Sequence, residues 1–329
     1  MQAAFYTQQG PAEEVLKVEE IEDILPKANE IQIAIHFSGV NPGEVKKRDD
    51  TFGTGMPYDL IIPQSDGSGY VNKVGEGVDQ QWLGKKVLCY GAQSYRQYGT
   101  AAEFCCVPVE NVVSIGENVD LRQAAQMGIP GITAHRAVHV GGQNERHNRN
   151  GQVVLVQGGS GAVGQCALAM ARKAGATVLA SVMKEADIPI AIQAGANKVY
   201  LVNDEFKEAV LADYPDGVDH IVEVAFAANI EVDVAIIKQG GSIATYATNE
   251  HPASIPFWNL VFANVSVFFL GSDDFTVQSK RAALEDLAEA LSDGWQGLAI
   301  GKEYDLEDIA QAHLHVENRH PGRALVRIK

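Results

Sequence analysis

Apolar and polar positions along the chain change rhythm near residue 150. Before it, short alternating runs stand between Gly, Pro and Asp clusters: Ile31-Gln32-Ile33-Ala34-Ile35, Lys86-Val87-Leu88-Cys89-Tyr90 and Glu103-Phe104-Cys105-Cys106-Val107. A period of two predicts half-buried strands, so residues 1 to about 125 read as β-rich. One helix is predicted from Leu121 through Ala125, a break at Gly128-Ile129-Pro130-Gly131, and a second helix over residues 133 to about 140. Residues 141–150 carry no hydrophobic period and predict a solvated loop whose basic side chains face water.

Beyond that loop, Val153-Val154-Leu155-Val156 is a continuous apolar run, as on a parallel strand buried on both faces. A Gly-rich turn, a helix over 163–174 and a second buried strand at 176–180 follow. Asp187 with Pro189 marks a helix start, and Ala194-Gly195-Ala196 its end. Further strands are predicted at 198–202, 220–224 and 242–246, with a helix at 230–237. This alternation means βαβ units and a parallel sheet. The final residues predict a helix over 277–291 and a closing strand over 324–328. The fold class is therefore α/β, a doubly wound parallel sheet joined to a β-rich domain.

The length of 329 residues agrees with two domains. Its 26 basic against 42 acidic side chains leave a net charge of −16, which argues against nucleic acid as a partner. Cys89, Cys105, Cys106 and Cys166 form no C-x-x-C pair and read as small buried thiols of a reducing compartment. No basic segment followed by an apolar one opens the chain. The longest apolar run, 258–270, is interrupted by Asn259, Asn264 and Ser266 and is too short to span a membrane. A cytoplasmic protein with no membrane partner is expected.

The strongest chemical signal is Gly158-Gly159-Ser160-Gly161-Ala162-Val163-Gly164. It satisfies G-x-G-x-x-G through Gly159, Gly161 and Gly164, and it stands between a predicted strand and a predicted helix. In that context the glycines permit a tight turn, a close approach to a pyrophosphate and tight helix–strand packing. The tip of the next strand reads Ala180-Ser181-Val182-Met183-Lys184, with no acid before Glu185. Ser181 and Lys184 suit a ribose 2′-phosphate, which favours NADPH. The alternative, Glu185 holding an NAD ribose, stays open.

Six motifs in this order resemble the medium-chain dehydrogenase/reductase superfamily, and within it the zinc-free, zeta-crystallin-like quinone oxidoreductases. They are Gly39-Val40-Asn41-Pro42, Pro63-Gln64-Ser65-Asp66-Gly67-Ser68-Gly69, Val74-Gly75-Glu76-Gly77-Val78, Gly128-Ile129-Pro130-Gly131-Ile132-Thr133-Ala134, the glycine turn, and Gln193-Ala194-Gly195-Ala196. The resemblance implies a GroES-like catalytic domain, 1–125 with 266–329, and a Rossmann dinucleotide-binding domain, 126–265. It also implies that the three places holding catalytic zinc in related alcohol dehydrogenases carry Asn41, Ser65 and Ile129 here. That set suits Zn²⁺ poorly, so no metal is expected. His313 and His315 match no metal triad and are expected at the surface or capping a helix.

Without a Lewis acid, the acceptor must spread incoming charge by conjugation, as a quinone or an enone does. The expected activity is an NADPH:quinone oxidoreductase; a 2-alkenal or enone double-bond reductase, and a non-catalytic crystallin-like protein, are the alternatives. By resemblance Asn41 and Thr133 line the nicotinamide and substrate cleft. Lys46 stands where close bacterial relatives carry a Tyr, and Tyr58 is a weaker candidate. The apolar segment 264–271 predicts the final strand of the parallel sheet, an unprotected edge expected to pair in a homodimer or a tetramer.

Overall fold

The computed structural model describes residues 1–142, 145–248, 250 and 252–329. They form two compact units, Met1–Ile129 with Ala283–Lys329, and Pro130–Ala282. In chain order the first elements are β1 (Gln2–Phe5), α1 (Ala12–Val15), β2 (Lys17–Glu20), β3 (Glu30–Gly39) and α2 (Pro42–Arg48). Next come β4 (Asp66–Val74), β5 (Lys86–Cys89), β6 (Phe104–Pro108), β7 (Val112–Ser114), α3 (Leu121–Ala124) and α4 (Gly128–His139). The βα alternation runs β8 (Val153–Val156), α5 (Ala162–Lys173), β9 (Thr177–Val182), α6 (Ile188–Ala194), β10 (Lys198–Leu201) and α7 (Phe206–Asp213). It continues with β11 (Val218–Glu223), α8 (Phe226–Ile236), β12 (Ile237–Thr245), α9 (Phe257–Phe262) and β13 (Ser266–Phe269). The chain closes with α10 (Val277–Ser292), β14 (Ile300–Asp305), α11 (Ile309–Glu317) and β15 (Arg323–Arg327).

The first unit is built on β3, which pairs with β4, β6 and β15, all antiparallel. Its alternation buries Ile31, Ile33 and Ile35 completely against Val71, Val87, Cys89, Cys105 and Val107. The C-terminal strand belongs here because Ala324 and Val326 pack with Val40, Val45, Ile309 and Ala312 in a second core. All four cysteines are buried and free, as expected.

The second unit is a six-stranded parallel sheet in the order β10-β9-β8-β11-β12-β13. The chain winds outward in both directions from β8 and β11. Their carboxyl ends therefore flank the crevice where doubly wound folds bind ligands. Leu155, Leu179, Ile221 and Ile243, one from each of four neighbouring strands, are buried with no exposure. Among the described residues no helix is long and apolar enough to cross a membrane.

Several expectations change. The second boundary between units lies at 282/283 rather than 265/266, because β13 pairs with β12 as the sixth parallel strand. No break occurs at Gly128–Gly131; α4 already starts at Gly128. Pro130 falls in its first turn, where no N–H is needed, and Asp66 Oδ1 accepts the Ile129 N–H at 2.8 Å. In the expected solvated loop, positions 143 and 144 lie outside the described residues, and Arg149 is buried. Its guanidinium donates to the Val138 and Val140 carbonyls at 2.9 and 3.1 Å, capping the end of α4. His313 and His315 are likewise buried on α11, not at the surface. Burial holds His313 neutral, down to about 3, and His315 Nδ1 lies 3.1 Å from the Tyr304 hydroxyl.

Candidate active site

In the parallel-sheet unit, each glycine of the turn has a separate task. Gly158 adopts φ +67°, a left-handed conformation that disfavours side chains. A Cβ on Gly159 would lie 2.7 Å from Ala180 Cβ, and one on Gly164 only 2.2 Å from the Gly158 carbonyl oxygen. Gly161 is the N-cap of α5, with φ −72° and ψ 166°, and no side chain caps the helix. The backbone N–H groups of Ala162, Val163 and Gly164 thus open the helix as an anion site. Ser160 donates to Asp187 Oδ2 at 3.3 Å.

Ser181 sits at the end of β9 and is 1% exposed. Its hydroxyl accepts the Gly158 N–H at 3.2 Å and donates to Gln157 Oε1. The side chain expected to meet a ribose phosphate instead fastens the glycine turn. Lys184, three residues on, is exposed in extended backbone just past the strand. Thr133 is buried in the second turn of α4, so it is not a helix N-cap.

Sequence reasoning passed over two buried carboxyls in this unit. Glu223 ends β11 and Asp233 lies on α8, both fully buried. A signal for Asp233 was present, since it falls on the apolar stripe Phe226, Ile230, Ile237 at helical spacing.

In the β-rich unit, Asn41 precedes α2 and is 3% exposed. Glu44, at the third helical position, accepts the Asn41 backbone N–H, the reciprocal half of a capping box. The Asn41 amide is occupied on every side. Nδ2 donates to Glu44 Oε1 at 3.1 Å and to Asp66 Oδ2 at 2.8 Å, while Oδ1 accepts Arg323 Nη2 at 2.9 Å. Glu44 Oε1 also accepts the Ser65 N–H at 2.9 Å. Arg323 lies 4.0 Å from Asp66 Oδ2.

Two buried carboxyls therefore face one guanidinium. Burial, and then the neighbouring Glu44, push Asp66 up to about 7; burial raises Glu44 as well. Asn41 organises this network and has no N–H left to offer a substrate. Lys46 is exposed on α2, 5.9 Å from the centre of the Phe52 ring. Tyr58 is partly exposed and donates to the Tyr95 carbonyl at 3.0 Å.

The donor set at the three zinc places does not fit the metal. Asn41 is an amide already saturated, Ser65 offers a hydroxyl, and Ile129 offers only the N–H held by Asp66. Zinc sites of this fold type need thiolate, imidazole or carboxylate donors free to turn inward.

Residues 27–117 match the family described as alcohol dehydrogenase GroES-like domain, and residues 162–289 the family described as zinc-binding dehydrogenase. The quinone oxidoreductase of Rattus norvegicus is 31% identical over 319 residues, covering 92% of this chain and 90% of its own. That of Homo sapiens is 30% identical over 321 residues, covering 93% and 91%. Among solved structures, a mycobacterial quinone oxidoreductase superposes with a TM-score of 0.86 over 100% of both chains at 23% identity. A mycobacterial protein complexed with NADPH gives a TM-score of 0.83, also at 23% identity and over 100% of both chains. On these relationships the chain belongs to the medium-chain dehydrogenase/reductase superfamily, as an oxidoreductase of its quinone oxidoreductase family.

Proposed function

We propose that the protein is an NADPH-dependent, zinc-independent oxidoreductase that delivers hydride to quinones or other conjugated carbonyl acceptors. The observation that carries this reading is the Asn41 amide, fully engaged by Glu44, Asp66 and Arg323 at the place where zinc relatives hold their metal. Both N–H groups of the Asn41 amide are committed to carboxyls, so Asn41 is not available to polarise a simple ketone. The acceptor must then delocalise the charge itself, which selects quinones and enones. Bound NADPH would supply the hydride from C4, and with one proton from solvent a quinone becomes the hydroquinone.

The residues of the chain bind and orient. The open N-terminus of α5 faces the pyrophosphate, with Gly158 and Gly164 allowing the close approach. Lys184 supplies the exposed cation for the 2′-phosphate, and Ser181 acts indirectly by holding Gly158. The NADPH complex of the mycobacterial neighbour supports this choice of cofactor.

A homodimer completes the proposal. β13 is the sheet edge, and Phe269 on it is 72% exposed. Trp258 and Phe262 of α9 stack on each other and are 64% and 73% exposed. A bare edge beside exposed aromatics suits pairing with its own copy about a twofold axis.

The test is turnover under NADPH with a quinone, a 2-alkenal, an enone and a simple ketone. Reduction of the quinone without the ketone is expected. Preference for the 2-alkenal, with hydride at its β-carbon, would replace the quinone reading; no turnover with any acceptor would leave only cofactor binding.

A further inference from the structure

The carboxyl pair of the parallel-sheet unit has no part in the chemistry above, yet it is wired to the cofactor turn. Glu223 collects donors: the Ala225 N–H, and Asn229 Nδ2 at 3.1 and 3.2 Å from its two oxygens. Burial raises both carboxyls, and donors to the charged form favour it, so of the two Glu223 is the one that carries the charge. Asp233 is treated differently. Its Oδ1 accepts Gln157 Nε2 at 2.8 Å, while Oδ2 is buried and receives no N–H or O–H.

The Asp233 and Glu223 carboxyls act on each other, and with Asp233 Oδ1 taken by Gln157 the atom left to meet Glu223 is Oδ2. Two carboxyls buried together in this way do not both ionise readily. A proton on Asp233 Oδ2, donated to Glu223, satisfies the orphaned atom. Among the described residues, the Tyr246 phenol, just past β12, acts on Glu223, and the Cys166 thiol on α5 acts on that phenol. Burial raises Tyr246, which keeps it neutral. Among the described residues no lysine or arginine acts on Asp233, so nothing compensates a second negative charge.

From Asp233 the bonds run straight into the turn. Gln157 is the residue before Gly158, and its amide orientation is set by donating to Asp233. Its Oε1 therefore faces the Ser181 hydroxyl, and that hydroxyl, having donated to Gln157, accepts the Gly158 N–H.

We propose that Asp233, in its protonated form, is a positioning residue for the cofactor: bridged to Glu223, it holds Gly158 through Gln157 and Ser181, and cofactor affinity falls when this proton leaves. The proposal rests on the nicotinamide reading of the turn. Ionisation makes the carboxyls repel, displaces Asp233 and releases the Gln157 amide.

The experiment is a fluorescence titration of the full-length protein with NADPH from neutral to alkaline pH, with thermal unfolding measured in parallel. In the wild type the Kd is expected to rise about tenfold across the alkaline limb, the loss of one hydrogen bond to a charged group. Asp233→Asn keeps an acceptor for Gln157 and an N–H for Glu223 but cannot titrate. It should bind with a flat profile at the neutral-pH affinity of the wild type. The 2′-phosphate and the glycine turn are common to both proteins, so only the pair distinguishes the curves.

A flat wild-type profile, or the wild-type slope retained in Asp233→Asn, would overturn the proposal. Should Asp233→Asn not fold, Gln157→Met decides the matter, since it cuts the relay and leaves the pair. It should bind weakly at every pH, and a wild-type profile in that variant overturns the proposal. If the wild type binds no NADPH at any pH, the cofactor reading falls together with the relay. Binding whose pH profile ignores Asp233 removes the relay alone.

Discussion

Replacing Gly164 with alanine tests the cofactor turn at its tightest contact. The added Cβ would stand 2.2 Å from the Gly158 carbonyl oxygen, 2.9 Å from Gly159 Cα and 3.0 Å from the Gly158 carbonyl carbon. All three are backbone atoms, so no side chain can swing aside. Restoring a normal contact requires the turn and the first coil of α5 to separate by about 1 Å. Overpacking of this kind costs about 1–3 kcal/mol, and alanine in a helix returns up to about 1 kcal/mol over glycine. The net loss of stability is then about 0–3 kcal/mol. Affinity should suffer as well, by about tenfold or more, because the displaced turn loses a hydrogen bond to the charged pyrophosphate, worth about 1.5–3 kcal/mol.

Thermal unfolding and NADPH titration measure the two effects separately. Gly161→Ala is the control for stability. Its Cβ meets nothing closer than the Gly158 oxygen at 3.3 Å, and its φ of −72° suits any residue. That variant should lose less than about 1 kcal/mol. A Gly164→Ala protein with wild-type Tm and wild-type Kd would refute the packing argument.

Three further outcomes are expected. Lys184→Ala should weaken NADPH about tenfold while leaving NADH nearly unchanged, as a lost charge-assisted hydrogen bond does; equal effects in the two titrations would make Lys184 a solvated lysine. Asp66 is raised from 3.8 to about 7 in the fold, so its contribution is complete below about pH 4 and is lost as pH rises through about 7. Tm measured across that window should therefore fall with rising pH, and Asp66→Asn should make the decline shallower; an unchanged slope contradicts it. Phe269→Lys on the exposed edge strand should shift the protein toward monomer in light scattering with its Tm retained, and a wild type that is already monomeric at micromolar concentration would remove the dimer.

The parts of the fold that were legible are those written locally. The run 153–156 and the glycines after it announce a buried parallel strand and a phosphate turn, because periodicity and backbone freedom are local properties. The start of α4 was not legible, since its N-terminal acceptor is Asp66, contributed by a strand about sixty residues earlier. Arg149 read as solvated because its carbonyl partners, Val138 and Val140, lie across the loop.

The boundary at 265/266 conflicted with reading 264–271 as a strand of the parallel sheet, and the pairing of β13 with β12 decides for the strand. In the site, the three-residue spacing of Asn41 and Glu44 fits a capping pair, a local signal that sequence reasoning passed over. Arg323, which completes the network, stands in an ordinary apolar strand almost three hundred residues away, and only the antiparallel return of β15 onto β3 brings it there. Glu223 and Asp233 lay within reach of pattern reasoning. An acid on the apolar stripe of α8 is a polar group that must find a buried partner.

The central claim, hydride transfer to a conjugated acceptor without metal, is tested most directly by one assay. The protein is dialysed exhaustively against a chelator, its zinc content is measured, and NADPH oxidation is followed with a quinone as acceptor. The account predicts that metal-free protein consumes one NADPH for each hydroquinone formed, at the rate of untreated protein. Turnover that disappears with the zinc and returns on its readdition would contradict it.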